Sequence, residues 1–216
     1  MGESAPSPGR LLVTAFEPFG DDPVNSSQRV LEEISGSHDQ ESCELIACVL
    51  PVNGKAAVDK LVDLVERHDP CAVLCLGQDT VRDEISIEKV AINYCSYRIP
   101  DNAGSQPDDE PVEADGPAAY FSTLPIPAIL DDVCQTGLSA EVSYSAGTFV
   151  CNYLFYSLMH YLAQEPRRIP AGFIHLPGLP EQEEQSCRPG IPLDRQVKVV
   201  QAMLRSVTGV PNENAP

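Results

Sequence analysis

Short, continuous apolar runs alternate with amphipathic stretches along this chain, and that alternation restricts the fold more than any other feature. Leu11-Leu12-Val13-Thr14-Ala15-Phe16, Leu45–Val52, Ala72–Leu76, Ala140–Tyr144 and Ala171–Leu176 read as strands, and Ile85–Asn93 as a further extended segment. Apolar residues on successive positions suit strands buried on both faces. Between the runs, apolar residues recur at helical spacing. Val30, Leu31 and Ile34 mark a helix from Asn25 or Ser26 to about Ile34. Ala57, Leu61, Leu64 and Val65 mark one over 55–67, and Ile129, Leu130 and Val133 one over 126–136. Two more are expected over 151–163 and 193–207. Strands alternating with helices predict an α/β fold: a single-domain, three-layer α/β/α sandwich around a mostly parallel, twisted central sheet.

With 216 residues the chain is long enough for one substantial core. The domain is expected over 10–207, with a flexible lead over 1–9 and a flexible tail over 208–216. Pro100–Pro117 is rich in Pro, Gly, Asp and Asn, and a loop this long inside a compact domain belongs to a site or an interface. Glu181–Gly190 reads as a polar, mobile connection.

Charge removes several classes of partner. Lys and Arg total 14 against 32 Asp and Glu, a net charge of −18, which argues against nucleic acid and anionic membrane surfaces. No apolar run approaches the roughly 20 residues of a membrane span, and Met1–Arg10 lacks the apolar core of a secretion signal. A cytoplasmic protein is expected. Its eight cysteines lie mostly in apolar runs and read as reduced, packed side chains. Cys71 and Cys75 are spaced too widely for a Cys-x-x-Cys pair and have no zinc-spaced partners, so no metal is assigned.

Chemistry concentrates between Ser145 and His175. Ala146-Gly147-Thr148 reads as a turn with a helix-capping residue, which sets Cys151 in the first helical turn. Unpaired N–H groups and the positive end of the helix dipole favour a thiolate there. His175 ends a buried strand, where it can face a cleft and accept the thiol proton. The same residue types also suit a packed core cysteine and a hydrogen-bonded histidine. In α/β sheets sites lie beyond strand carboxyl ends, and the turns after Phe16, Leu76 and Tyr144, with His175, all read as such ends. Glu88 is a candidate to orient His175, against a solvated surface carboxylate among 32 acidic residues. Phe16 and Phe19 are candidates to bracket a flat ligand, and Gln78 to offer it an amide. Arg98 is a candidate to stabilise an oxyanion. Asp101-Asn102-Ala103-Gly104 reads as turn chemistry.

Taken in order, these segments resemble the pyroglutamyl peptidase I (pyrrolidone-carboxylate peptidase) family of cysteine peptidases. The resemblance covers about residues 11–207. Its motifs are Thr14-Ala15-Phe16-Glu17-Pro18-Phe19-Gly20 with Asn25, Gly77-Gln78, Glu88-Lys89-Val90-Ala91-Ile92-Asn93 and Arg98-Ile99-Pro100-Asp101-Asn102. They continue as Asp115-Gly116-Pro117-Ala118-Ala119-Tyr120, Ala146-Gly147-Thr148-Phe149-Val150-Cys151-Asn152 and Gly172-Phe173-Ile174-His175. The resemblance implies a Cys–His–Glu triad on Cys151, His175 and Glu88. It implies release of N-terminal pyroglutamate (5-oxoproline) from peptides through a thioester, with no cofactor. It implies a lactam pocket of Phe16, Phe19, Asn25, Gln78, Ile99, Phe149 and Val150, and a homotetramer. Two departures lie near that pocket. Asp79-Thr80-Val81-Arg82 stands where the family often has Ala-Gly-Gly-Arg, and Ala15 replaces a usual glycine. A catalytically silent lactam- or peptide-binding homologue is the alternative.

Overall fold

The computed structural model describes residues 9–37, 43–183 and 188–209. Its strands are β1 (Gly9–Phe16), β2 (Cys43–Leu50), β3 (Ala72–Gln78), β4 (Ser86–Glu88), β5 (Val90–Ile92), β6 (Ala119–Phe121), β7 (Glu141–Ser143) and β8 (Ala171–Leu176). Its helices are α1 (Ser26–Ser37), α2 (Gly54–His68), α3 (Ile126–Gln135), α4 (Val150–Gln164) and α5 (Leu193–Thr208). A 3-10 turn spans Pro180–Gln182.

The central sheet runs in the order β2-β1-β3-β8-β4-β7. Strands β1, β2, β3 and β8 are parallel, whereas β4 runs antiparallel to β8 and β7 follows β4. Side-chain alternation along each strand feeds two cores. On one face Leu11, Val13, Ala15, Leu74, Leu76 and Ile174 pack with α1, α3 and α5. On the other, Leu12, Phe16, Val73, Cys75 and Phe173 pack with α2 and α4. These are the three layers that the apolar runs predict.

Local chemistry bounds α1 and α2. Asn25 starts α1 by accepting the Ser27 N–H at 3.0 Å, and Asn53 starts α2 by accepting the Ala56 N–H at 2.9 Å. Helix α2 stops at Asp69, which adopts φ 44° and donates its N–H to the Val65 carbonyl.

Four expectations change. The extended segment 85–93 divides at Lys89: β4 stays in the central sheet, while β5 pairs with β6 in a separate hairpin. Asn152 on α4 takes the Ile92 N–H at 3.0 Å and donates to the Ile92 carbonyl at 2.9 Å, which draws β5 over the helix. Thr148 does not cap α4. Phe149 holds the cap position with no side-chain bond, and the Thr148 hydroxyl donates to the Ser96 carbonyl at 2.9 Å. The turn after Tyr144 does not follow a carboxyl end shared with β1, β3 and β8, because β7 runs the other way. Gly9 begins β1 and Thr208 ends α5, so the rest of the expected lead and tail, 1–8 and 210–216, lies outside the described residues. Part of the expected mobile connection, 184–187, lies outside them as well.

Candidate active site

Strands β1, β3 and β8 deliver Phe16, Gln78 and His175 to one edge of the sheet, on or next to the face covered by α4. His175 is 3 % exposed and Glu88 fully buried. In the antiparallel β4–β8 pair Ser86 lies opposite His175 and Glu88 opposite Phe173. Glu88 and His175 are therefore diagonal neighbours on one face, within side-chain reach. Glu88 Oε1 lies 2.7 Å from His175 Nδ1. A carboxylate there accepts a proton-bearing Nδ1, which leaves the Nε2 lone pair as the base.

Cys151 is the second residue of α4. Gly77 in β3 pairs in register with His175, and a Cβ built on Gly77 would lie 3.1 Å from Cys151 Sγ. The thiol thus stands against the backbone beside His175. The helix start alone predicts a depressed thiol pKa, and the structure differs. Burial, then the charges of Asp79 and Glu88, push Cys151 up to about 12, against the opposing pull of Arg82 and its own backbone N–H. At neutral pH the resting side chain is a thiol.

Phe16, Phe19, Asn25, Val52, Gln78, Phe149, Val150 and Cys151 line one cavity of about 70 Å³. That is well below the roughly 300–1,000 Å³ of sites for drug-sized ligands, so it suits one small ring. The Phe19 and Phe149 ring centres are 5.1 Å apart. Gln78 Oε1 accepts the Ser26 N–H at 2.6 Å, which fixes the amide and turns its NH₂ to the other side. Asn25 spends its amide on structure: Nδ2 donates to the Glu17 carbonyl at 3.0 Å, and Oδ1 accepts from Ser27. Two larger hollows, of about 340 and 270 Å³, have neither cysteine nor histidine in their linings.

Ile99, 38 % exposed, lies outside the cavity lining, and Arg98 is exposed as well. Their neighbour Tyr97 turns inward instead, with its ring 4.5 Å from that of Phe149. Val52 joins the lining without having stood out in the sequence, because it follows a strand it resembles. Asn102 also acts on the site from a distance. It donates to Glu17 Oε1 at 3.0 Å and to the Pro18 carbonyl at 2.9 Å, pinning the turn that presents Phe19. Asp101 does form a turn, accepting the Ala103 and Ser105 N–H groups at 3.0 and 2.9 Å. Arg82 is the residue that sequence reasoning passed over: its Nη2 lies 2.8 Å from Glu88 Oε1.

Known proteins similar to this chain fall in one family. A family profile described as pyroglutamyl peptidase matches residues 9–209. The pyrrolidone-carboxylate peptidase of Vibrio vulnificus is 45 % identical over 195 residues, covering 90 % of this chain and 91 % of that one. Pyrrolidone-carboxylate peptidase 1 of Caldanaerobacter subterraneus is 41 % identical over 199 residues, covering 92 % and 97 %. The crystal structure of pyroglutamyl peptidase I from Bacillus amyloliquefaciens superposes with a TM-score of 0.88 at 36 % identity, covering 93 % of this chain and 95 % of that one. A variant of pyrrolidone carboxyl peptidase from Pyrococcus furiosus superposes with a TM-score of 0.87 at 33 % identity, covering 93 % and 98 %.

Proposed function

The chain belongs to the pyroglutamyl peptidase family, and from that premise we propose that Cys151, His175 and Glu88 carry out the family's reaction. The protein is a cysteine-type omega peptidase that removes N-terminal pyroglutamate from peptides. One observation carries the assignment of residues: Cys151 lines the small aromatic cavity, and the bonded pair His175–Glu88 stands beside it across Gly77.

The pyrrolidone ring enters between Phe16, Phe19 and Phe149, and the Gln78 amide NH₂ donates to the lactam carbonyl. Asn25 and Val150 complete the wall. Ile99 is left with a place outside this ring pocket. His175 Nε2 takes the Cys151 proton as sulfur attacks the pyroglutamyl carbonyl, and Glu88 stabilises the imidazolium that forms. No side chain caps α4, so its first N–H groups are available to hold the oxyanion. The exposed position of Arg98 lends no support to its oxyanion role. The imidazolium then protonates the leaving amine, a thioester remains, and water activated by His175 releases pyroglutamate. The steps use these side chains, the backbone N–H groups at the start of α4, and water.

Residues 10–207 make up the peptidase unit in this proposal. A homotetramer fits the long 100–117 segment and the 65 % exposed ring of Phe121; light scattering would measure it. Among the described residues no helix is long and apolar enough to cross a membrane. A reducing, cytoplasmic setting suits a mechanism that needs a reduced Cys151.

The test is release of a fluorescent amine from a pyroglutamyl amide, compared with the prolyl and glutamyl amides under reducing conditions. Only the pyroglutamyl substrate should turn over. Proline leaves the half-buried amide of Gln78 unpaired, and glutamate would bring unpaired charge into the pocket. Folded protein with a titratable Cys151, no turnover and measurable 5-oxoproline binding would instead establish the silent lactam-binding alternative.

A further inference from the structure

Glu88 is electrostatically costly where it stands, because it is fully buried and its second oxygen, Oε2, has no hydrogen-bond partner among the described residues. A carboxylate in that position tends to take up a proton unless a fixed cation faces it. Arg82 supplies one: Nη2 lies 2.8 Å from Oε1, the same oxygen that meets His175 Nδ1 at 2.7 Å. A guanidinium keeps its charge at any working pH.

Arg82 is itself held from several segments. Its Nε donates to Asp79 Oδ2 at 2.9 Å, and its Nη2 donates to the Ser145 carbonyl at 3.0 Å. Its Nη1 lies 4.0 Å from Glu141 Oε1 on β7, an oxygen that also accepts from the Ser86 hydroxyl at 2.8 Å. Asp79 is anchored in turn by its N–H to the Leu176 carbonyl at 2.9 Å, one residue beyond His175. The charged and titratable groups facing this cluster are thus Asp79, Glu88, Glu141, His175 and Cys151, with Arg82 the fixed cation among them. Asp79 belongs to the stretch where this chain departs from the motif it resembles, so the anchor is a local feature of this sequence.

We propose that Arg82 is a positioning residue for the reaction. It keeps Glu88 ionised and aimed at His175, while Asp79 and the Ser145 carbonyl fix its guanidinium. Through Ser145 the same side chain ties the Glu88–His175 pair to the segment that leads into Cys151. The proposal rests on the peptidase reading for its kinetic test but not for its titration test.

Removing the cation raises the proton affinity of Glu88 and of His175 together. Activity needs the first ionised and the second neutral, so the acid limb of the kcat/KM profile moves to higher pH. In Arg82→Gln the limb should rise by about one unit or more, with the loss largest, roughly tenfold, on the acid side. Arg82→Lys should keep the limb near its original position while lowering kcat, because the charge remains and the two-pronged fork does not. If Arg82→Gln fails to fold, Arg82→Met, which also removes the cation while keeping an unbranched stem, carries the same comparison. The second readout needs no turnover: the His175 ring, followed by NMR in Cys151→Ala protein, should titrate at higher pH once Arg82→Gln is added. A uniform loss across pH with His175 titrating unchanged would overturn the proposal. Wild-type protein without peptidase activity but with the His175 shift present would sink the peptidase reading and leave the Arg82–Glu88 relationship standing.

Discussion

Cys151 has room for its sulfur because Gly77 has no side chain: a Cβ on Gly77 would stand 3.1 Å from Cys151 Sγ and 2.6 Å from Phe173 Cζ. Close approach of the helix start to the strand, rather than any unusual backbone angle, explains the glycine. Gly77→Ala should therefore cost about 1–3 kcal/mol of stability through overpacking. It should lower kcat/KM more than that cost implies, because Phe173 is a buried neighbour that cannot yield and Cys151 is the atom that can. Denaturant midpoints measured alongside kinetics check this. Wild-type kcat/KM in a destabilised variant would refute the contact.

The His175–Glu88 bond makes a separate claim. Glu88→Gln keeps an oxygen within reach of Nδ1 but removes the charge that stabilises the imidazolium. We expect kcat to fall on the order of tenfold to a few thousandfold with KM little changed, since the interaction strengthens only as the ring becomes charged. Steady-state kinetics on a pyroglutamyl amide decides the matter. An unchanged kcat would return Glu88 to a structural role.

The thiol of Cys151 provides a pH signature. Burial raises it to about 12, so without a neighbouring base it is mostly protonated below that value and its small thiolate fraction grows steadily with pH. In His175→Ala, alkylation of Cys151 by iodoacetamide should climb with pH through 10 without levelling off. In the wild type His175 accepts the proton, and the rate should level off at much lower pH. Peptide mapping by mass spectrometry separates Cys151 from exposed Cys134. A plateau near neutrality in His175→Ala would show that the helix start alone activates the thiol.

Much of the molecule was legible along the chain. Strands buried on both faces are continuous apolar runs, and Leu11–Phe16, Ala72–Leu76 and Ala171–Leu176 could be little else. Helices with one buried face carry their period openly, as α2 and α5 do. Cys151 and His175 stood out because local surroundings, a turn before an apolar helix and a strand end, already express their chemistry. Strand β6 did not, since three residues, two of them exposed, carry no periodic signal, and β4 and β5 merged because nothing in Ile85–Asn93 announces a change of sheet.

What the sequence by itself determined was the longer strands and the helices between them, their order, and the two residues whose chemistry depends on immediate neighbours. Glu88 was a candidate in the sequence, but only the tertiary structure brings its carboxylate and the Arg82 guanidinium together beside His175. Glu88 is one of 32 acidic residues, and only the antiparallel pairing of β4 on β8 sets it diagonal to His175. Arg82 reaches it from a loop that also holds Asp79. Side-chain chemistry is written locally, but the distance between two charges, and the water excluded from between them, exists only after the chain has closed the sheet around them.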